Sequence, residues 1–216
     1  LGLRRYREHY ADVKGFPYGQ LVSLVKAKPG ASAYECVGFR FARLWLKGDV
    51  VQFQSMTRWD TFGVRAQATC GICDNEENEE SHSAPDPDCT CGFYSQNSLA
   101  NLCRHLYFAG NPNVVLLMCS YTGRVIPGLR GWRAQTQHVL KVWVPNRCSI
   151  EHCTAASEYM GTLTEVPPNL LPDEFGRLIN DGLVPLCREH AAGAVKAMNL
   201  IELRQHLPTE FTFASE

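Results

Sequence analysis

A mixed α+β fold with a β-rich body is predicted from three observations. Apolar residues alternate with polar ones in several stretches between positions 37 and 144, which is the period of half-buried strands. Helical-period apolar stripes follow in the last part of the chain, behind residues that open and close helices. Seven of the ten cysteines fall into two clusters with metal-ligand spacing: Cys70, Cys73, Cys89 and Cys91, then Cys148, Cys153 and Cys187 with His190. These divide the chain into a basic N-terminal arm or helix over 1–34, a β-rich body over 35–146 that carries the first cluster as an insertion, and a C-terminal helical module over 147–216 built on the second.

The elements can be taken in order. In the arm, Arg4, Arg5, Arg7, Lys14, Lys26 and Lys28 outnumber Glu8 and Asp12. Val37, Phe39 and Phe41 alternate with Gly38 and Arg40, and Leu44 and Leu46 resume after a shift, which predicts a strand with a bulge. Lys47-Gly48-Asp49 supplies a hairpin turn into a strand over Val50 to Met56. Ser98 is placed to cap a helix carrying Leu99, Leu102, Cys103, Leu106 and Tyr107 on one side. The apolar run Val114 to Ser120 and the alternating run Trp132 to Val144 are strands. Pro172-Asp173-Glu174 opens a helix that Gly182 ends, and a last helix runs from near Cys187 through Ala191, Ala194, Val195, Met198 and Ile201 to Pro208.

In the first cluster Cys70-Gly-Ile-Cys73 is a knuckle that sets two thiolates on one side of a tight turn, and Cys89-Thr-Cys91 adds two more. His82 is a fifth candidate for four positions. The spacing resembles structural zinc sites more than ferredoxin patterns, so zinc is expected, with an iron-sulfur cluster as the minority alternative. The stretch His82-Ser-Ala84-Pro85-Asp-Pro-Asp-Cys89-Thr-Cys91-Gly92-Phe93-Tyr94 resembles a motif of uncharacterised proteins of actinobacteria and their phages, H-x-A-P-x3-C-x-C-G-[IF]-Y. Val64-Arg65-Ala66 before Cys70, and Gly131-Trp132-Arg133-Ala134 later, resemble the same pattern, over about residues 60–140. The resemblance implies a quartet of Cys70, His82, Cys89 and Cys91, with Cys73 a departure from it; spacing alone favours the four cysteines. It carries no function, and it is compatible with a phage-encoded protein.

The second cluster pairs Cys148-x4-Cys153 with Cys187-x2-His190 at the opening of the last helix. One pair on a turn and one in a helix's first turn is the ligand plan of a treble-clef-like zinc finger, where the helix N-terminus also favours thiolates. Cys36, Cys103 and Cys119 lie in apolar patterns and read as core.

The formal net charge of -1 conceals blocks. Seven acidic residues and no Lys or Arg lie between Cys70 and Gly92, whereas Cys89 through Ile150 holds no acid and includes Arg104, Arg124, Arg130, Arg133, Lys141 and Arg147. Arg124, Arg130, Trp132 and Arg133 form the best contact patch for a partner or for nucleic acid. No apolar run approaches a membrane span, and Leu1 to Tyr10 are polar and basic rather than signal-like, so a cytoplasmic protein is expected. Phosphate-binding glycine loops, the nucleophile elbow, H-E-x-x-H and the zinc-deaminase pattern are all missing, which argues against a nucleotide ligand and against the common hydrolases. The expected function is therefore a zinc-binding regulatory or interaction protein without catalysis, acting through a protein partner. A zinc-stabilised nucleic-acid-binding protein using the 104–147 block is the alternative, and a zinc hydrolase or nuclease comes third.

Overall fold

The computed structural model describes residues 36–56, 60–70, 82–102, 114–150, 152–163 and 182–213. The arm over 1–34, the turn around Cys73, the continuation of the Ser98 helix through Cys103, and the helix opened by Pro172 lie outside them. The described residues are β-rich with few helices.

Eight strands form one sheet: β1 (Cys36–Lys47), β2 (Val50–Ser55), β3 (Thr61–Phe62), β4 (Arg65–Gln67), β5 (Phe93–Gln96), β6 (Val114–Pro127), β7 (Gly131–Val144) and, from the far end of the chain, a strand over Glu210–Phe213. β1 pairs β6, β6 pairs β7, β7 pairs β5, and β5 returns to β1 through Phe39 and Gln96, so the sheet closes on itself as a small barrel. Its interior holds Ala42, Leu44, Phe53, Leu117, Cys119, Tyr121, Val139 and Val142, none more than 1% exposed. Truncating one of the large ones, Phe53 for example, is worth about 3–5 kcal/mol of stability.

The turn after β1 forms as expected, with Lys47 opposite Val50 and Gly48 at φ +60°, a conformation that glycine adopts without a Cβ clash. The bulge expected in β1 is absent: its pairing runs without a register shift. The apparent break in its pattern arises because both faces are covered. Ala42, Leu44 and Leu46 face the barrel, while Phe39 and Phe41 pack with Leu99, Leu102 and Leu116 in a second small core under α1 (Leu99–Leu102). Ser98 caps that helix as expected, its Oγ accepting from the Asn101 N–H at 3.2 Å.

β7 departs from the even alternation read from Ala134 to Val144. Its buried residues are Ala134, Gln137, Val139, Val142 and Val144, because two register irregularities against β6 each turn the pleat by one residue.

The C-terminal segment differs most from expectation. β8 (Tyr159–Thr162), β9 (Val184–Leu186) and β10 (Lys196–Asn199) form a three-stranded sheet in the order β10-β8-β9. The single last helix is instead two short ones, α2 (Arg188–Ala191) and α3 (Leu200–His206), with β10 between them. Residues 196–199 give their backbone bonds to β8, and Asn199 then restarts a helix with a capping box, accepting from the Ile201 and Glu202 N–H groups while Glu202 accepts from its own. Val195 and Ile201, read as the buried face, are therefore exposed. Beyond α3 the strand Glu210–Phe213, here β11, joins β7 in parallel. Met160, Leu183, Met198, Leu203, Leu207 and Phe211 belong to the same core as the barrel, so the segment after 147 packs as an extension of the body.

Candidate metal centres

The first quartet comprises Cys70, His82, Cys89 and Cys91, with one donor atom of each within 4.8 Å of the others. Cys70 follows β4 and Cys91 precedes β5, and both strands pair with the same edge of β7, at 136–138 and 131–134. The ligand loop is thus pinned at both ends on one strand. Cys70 Sγ lies 3.6 Å from Cys89 Sγ, and His82 Nε2 lies 3.2 Å from Cys91 Sγ. A tetrahedron of thiolates at the usual zinc distance has edges of about 3.8 Å, so these separations suit a four-coordinate ion.

Several residues hold the loop in this shape. The Asp86 N–H points at Cys91 Sγ at 3.4 Å. Gly92 has φ +109°, and a Cβ there would come within 2.8 Å of Pro85 Cβ. Arg133 reaches across from β7: Nη1 donates to the carbonyls of Cys89 and Cys91 and Nη2 to that of Asp86, while the guanidinium lies over the Tyr94 ring at 5.7 Å. Burial pushes the Cys91 thiol upward, the Asp86 N–H partly opposing it. A bound cation would supply the charge that stabilises this buried thiolate.

The second quartet is Cys148, Cys153, Cys187 and His190, again within 4.8 Å of one another. Cys153 N–H bonds back to the Ile150 carbonyl at 3.0 Å, and His152 takes a left-handed φ of 63°, closing a tight turn around the first pair. The Ser149 N–H donates to Pro185 O at 2.8 Å, which ties this turn to β9. β9 leads directly into Cys187, the N-cap residue of α2, and one turn on His190 Nδ1 lies 3.2 Å from Cys187 Sγ and 3.4 Å from Cys148 Sγ. Cys153 and Cys187 are 4.0 Å apart at sulfur. The Cys187 thiol is lowered to about 7, chiefly by the His190 backbone N–H, with burial opposing. In a helix of four residues this is the work of individual N–H groups rather than of the macrodipole expected from the sequence. Cys148 moves the other way, raised by burial.

The chain matches no family model, no curated protein and no solved structure.

Both clusters read from the sequence therefore come together as groups that can hold a metal ion. In the first, His82 stands beside the three cysteines; Cys73 lies outside the described residues. The contact patch does not come together as one surface. Arg124 and Arg130 are exposed, but Trp132 packs edge-on against Tyr121 at 6.3 Å and Arg133 is engaged by the metal loop. Sequence reasoning missed that role of Arg133, although a signal was present in Gly131-Trp132-Arg133-Ala134. Gly131 lies so close to Ser95 that a Cβ would overlap its carbonyl, and Ala134 is fully buried, so the whole tetrapeptide backs the metal loop and β5.

Proposed function

We propose that this chain is a zinc-stabilised interaction protein, without catalysis of its own, that acts in the cytoplasm through a protein partner. The observation that carries this reading is that each quartet provides four protein donors, three thiolates and an imidazole, at tetrahedral spacing. Such a set fills the coordination sphere and leaves no position for an activated water, which is the arrangement of structural zinc. The imidazole in each quartet also favours zinc over an iron-sulfur cluster held by four thiolates. A treble-clef-like plan for the second site is supported by its order: a tight turn with two ligands, the antiparallel β8–β9 pair, then a helix opening with two more.

The partner surface we favour is the end of the β6–β7 hairpin. Leu129 is 93% exposed there, beside the exposed Arg130, with the exposed Arg124 further back on β6. An aliphatic side chain beside an arginine on a hairpin end suits an acidic protein surface with an apolar recess. The nucleic-acid reading keeps only two of its four residues free for contact.

Metal analysis and X-ray absorption test the central claim. Two zinc ions per chain are expected, each with sulfur and nitrogen scatterers alone. An oxygen ligand that exchanges with solvent, or metal-dependent turnover, would overturn it. For the partner, a photo-crosslinking residue in place of Leu129 is expected to trap one protein species, lost on Arg130→Glu; a nuclease-sensitive adduct would instead favour nucleic acid.

A further inference from the structure

The barrel carries a second polar centre, away from both quartets. The inner row of β1 reads Gly38, Arg40, Ala42, Leu44 and Leu46, so a single charge points into an otherwise apolar wall. The Arg40 guanidinium lies over Phe62 at 5.0 Å and Phe93 at 5.7 Å. It donates one hydrogen bond, from Nη1 to Gln137 Oε1 at 2.9 Å. The ion pairs among the described residues, Lys141–Glu210, Arg188–Glu158 and Lys196–Asp49, leave it without a carboxylate.

Around it Arg40 Nε, Gln137 Nε2 and Trp132 Nε1 are buried donors with no partner, and the buried Tyr121 and Ser95 hydroxyls have only one another and the Cys119 thiol beside them. Tyr121 is fully buried, and Gln137 and Ser95 are 2% and 6% exposed. Several contacts place them together. Arg40 bonds Gln137, Tyr121 faces the Trp132 ring, and the Tyr121 hydroxyl has the Arg40 charge beside it and the Ser95 and Cys119 side chains within hydrogen-bonding reach. A Cβ on Gly38 would come within 3.0 Å of both Ser95 Oγ and Trp132 Cζ2, so the gap in the β1 row is where these two side chains approach. Burial raises the Tyr121 hydroxyl well above its ordinary value, which keeps it a donor.

A cation without a carboxylate, with Gln137 Nε2 and Trp132 Nε1 unpartnered beside it and two hydroxyls that have no better acceptor than each other and a thiol, is a costly arrangement for a barrel interior unless an acceptor-rich anion meets it. We infer that this polar centre binds a small oxyanion, carboxylate or phosphate, with Arg40 supplying the countercharge and Tyr121, Ser95, Gln137 and Trp132 its hydrogen bonds. The planar guanidinium suits a two-oxygen ligand, and Phe62, Phe93 and Trp132 give apolar walls for an organic body attached to it. Arg40, Phe93 and Trp132 keep partial exposure, so the centre lies next to the surface, although the donor atoms themselves are covered.

The test uses the zinc-loaded full chain, with metal content measured in the same samples so that failure of the metal reading is seen separately. Inorganic phosphate and benzoate are titrated in turn by calorimetry and thermal shift. Saturable one-to-one binding with a concentration-dependent rise in Tm is expected for at least one of them. Benzoate alone would identify an organic carboxylate with an apolar body, phosphate alone a phosphate group, and both an oxyanion site without selection for the body. Arg40→Met is expected to weaken binding by roughly a hundredfold and Tyr121→Phe by roughly tenfold, in line with charge-assisted and single hydrogen bonds. If Arg40→Met does not fold, Tyr121→Phe and Ser95→Ala decide the question. The inference fails if neither anion saturates the native chain, the outcome expected when water alone satisfies these donors, or if affinity survives the loss of Arg40 or of both hydroxyls.

Discussion

The two quartets have the same donors, three thiolates and one imidazole, yet the protein holds them by opposite means. The first sits in a loop whose two ends are stitched to β7 and whose carbonyls are gathered by Arg133 from that same strand. The second sits on its own turn, the antiparallel β8–β9 pair and a four-residue helix, in a segment held to the barrel by apolar packing through Met160, Leu183, Met198 and Leu203 rather than by hydrogen bonds to the ligand loop. A metal at the first site would thus occupy a shape that the barrel already imposes. At the second it would clamp the turn around Cys153 to the opening of α2, in a segment whose apolar residues join the barrel's core.

The largest effect should follow from breaking the second site. Cys187→Ser is expected to reduce zinc from two ions per chain to one and to lower stability by roughly 4 kcal/mol or more, about 10 °C in Tm for a chain of this size. The loss is global because Leu203, Leu207 and Phe211 lie in the barrel's own core and β11 completes the edge of β7. Calorimetry would check this: a single lowered transition is expected, whereas an unchanged barrel transition beside a separately melted tail would show the segment to be autonomous.

Cys91→Ser should also remove one zinc but cost less, about 2 kcal/mol, because β4 and β5 remain paired to β7 when the loop loosens. Hydrogen exchange should quicken at Asp86, whose N–H points at the Cys91 sulfur, while the amides of β8 to β10 keep their protection. Cys73→Ser sharpens the same point. If His82 completes the quartet, that variant keeps two zinc ions and His82→Ala loses one; the reverse result would restore the four-cysteine site.

Arg133→Lys comes next. An ammonium cannot span the three carbonyls that the guanidinium fork reaches, so stability should fall by about 1–2 kcal/mol and zinc should leave the first site faster under chelator challenge, with the second unaffected. This residue also shows how far the sequence could be read. The strands, the Gly48 turn and both ligand groups follow from alternation, turn chemistry and cysteine spacing, all local signals. Barrel closure rests on the contact of Phe39 with Gln96, and the inward set of β7 rests on two pleat shifts, neither of which leaves a period to detect. The same holds for Arg40: within an alternating stretch, a charge between Phe39 and Phe41 reads as the wet face until the second core under α1 is seen to claim the phenylalanines. The split last helix is different, because Asn199-x-x-Glu202 is a capping box visible in the sequence that a continuous apolar stripe concealed.

The smallest expected effect concerns the ion pair that joins the two regions, Lys196 of β10 with Asp49 in the β1–β2 turn, 2.7 Å apart. Hydrogen bonding to Lys196, then its charge, holds the Asp49 carboxyl below its ordinary value. A depressed carboxyl contributes stability that is fully present above the ordinary value and is lost as pH falls through the lowered one. Acid would protonate the cysteine and histidine ligands and release any metal they hold before that window is reached, so an acid titration would report the quartets and not this pair. The pair is better read at neutral pH by a double-mutant cycle of Asp49→Asn and Lys196→Met. Asp49 is 94% exposed, so the coupling should be small and should vanish near 1 M salt, where screening acts within about 3 Å. A coupling that persists in high salt would mean that the C-terminal segment is held to the barrel by a desolvated charge contact, and that the second metal matters less to its position than the opposite anchoring of the two quartets implies.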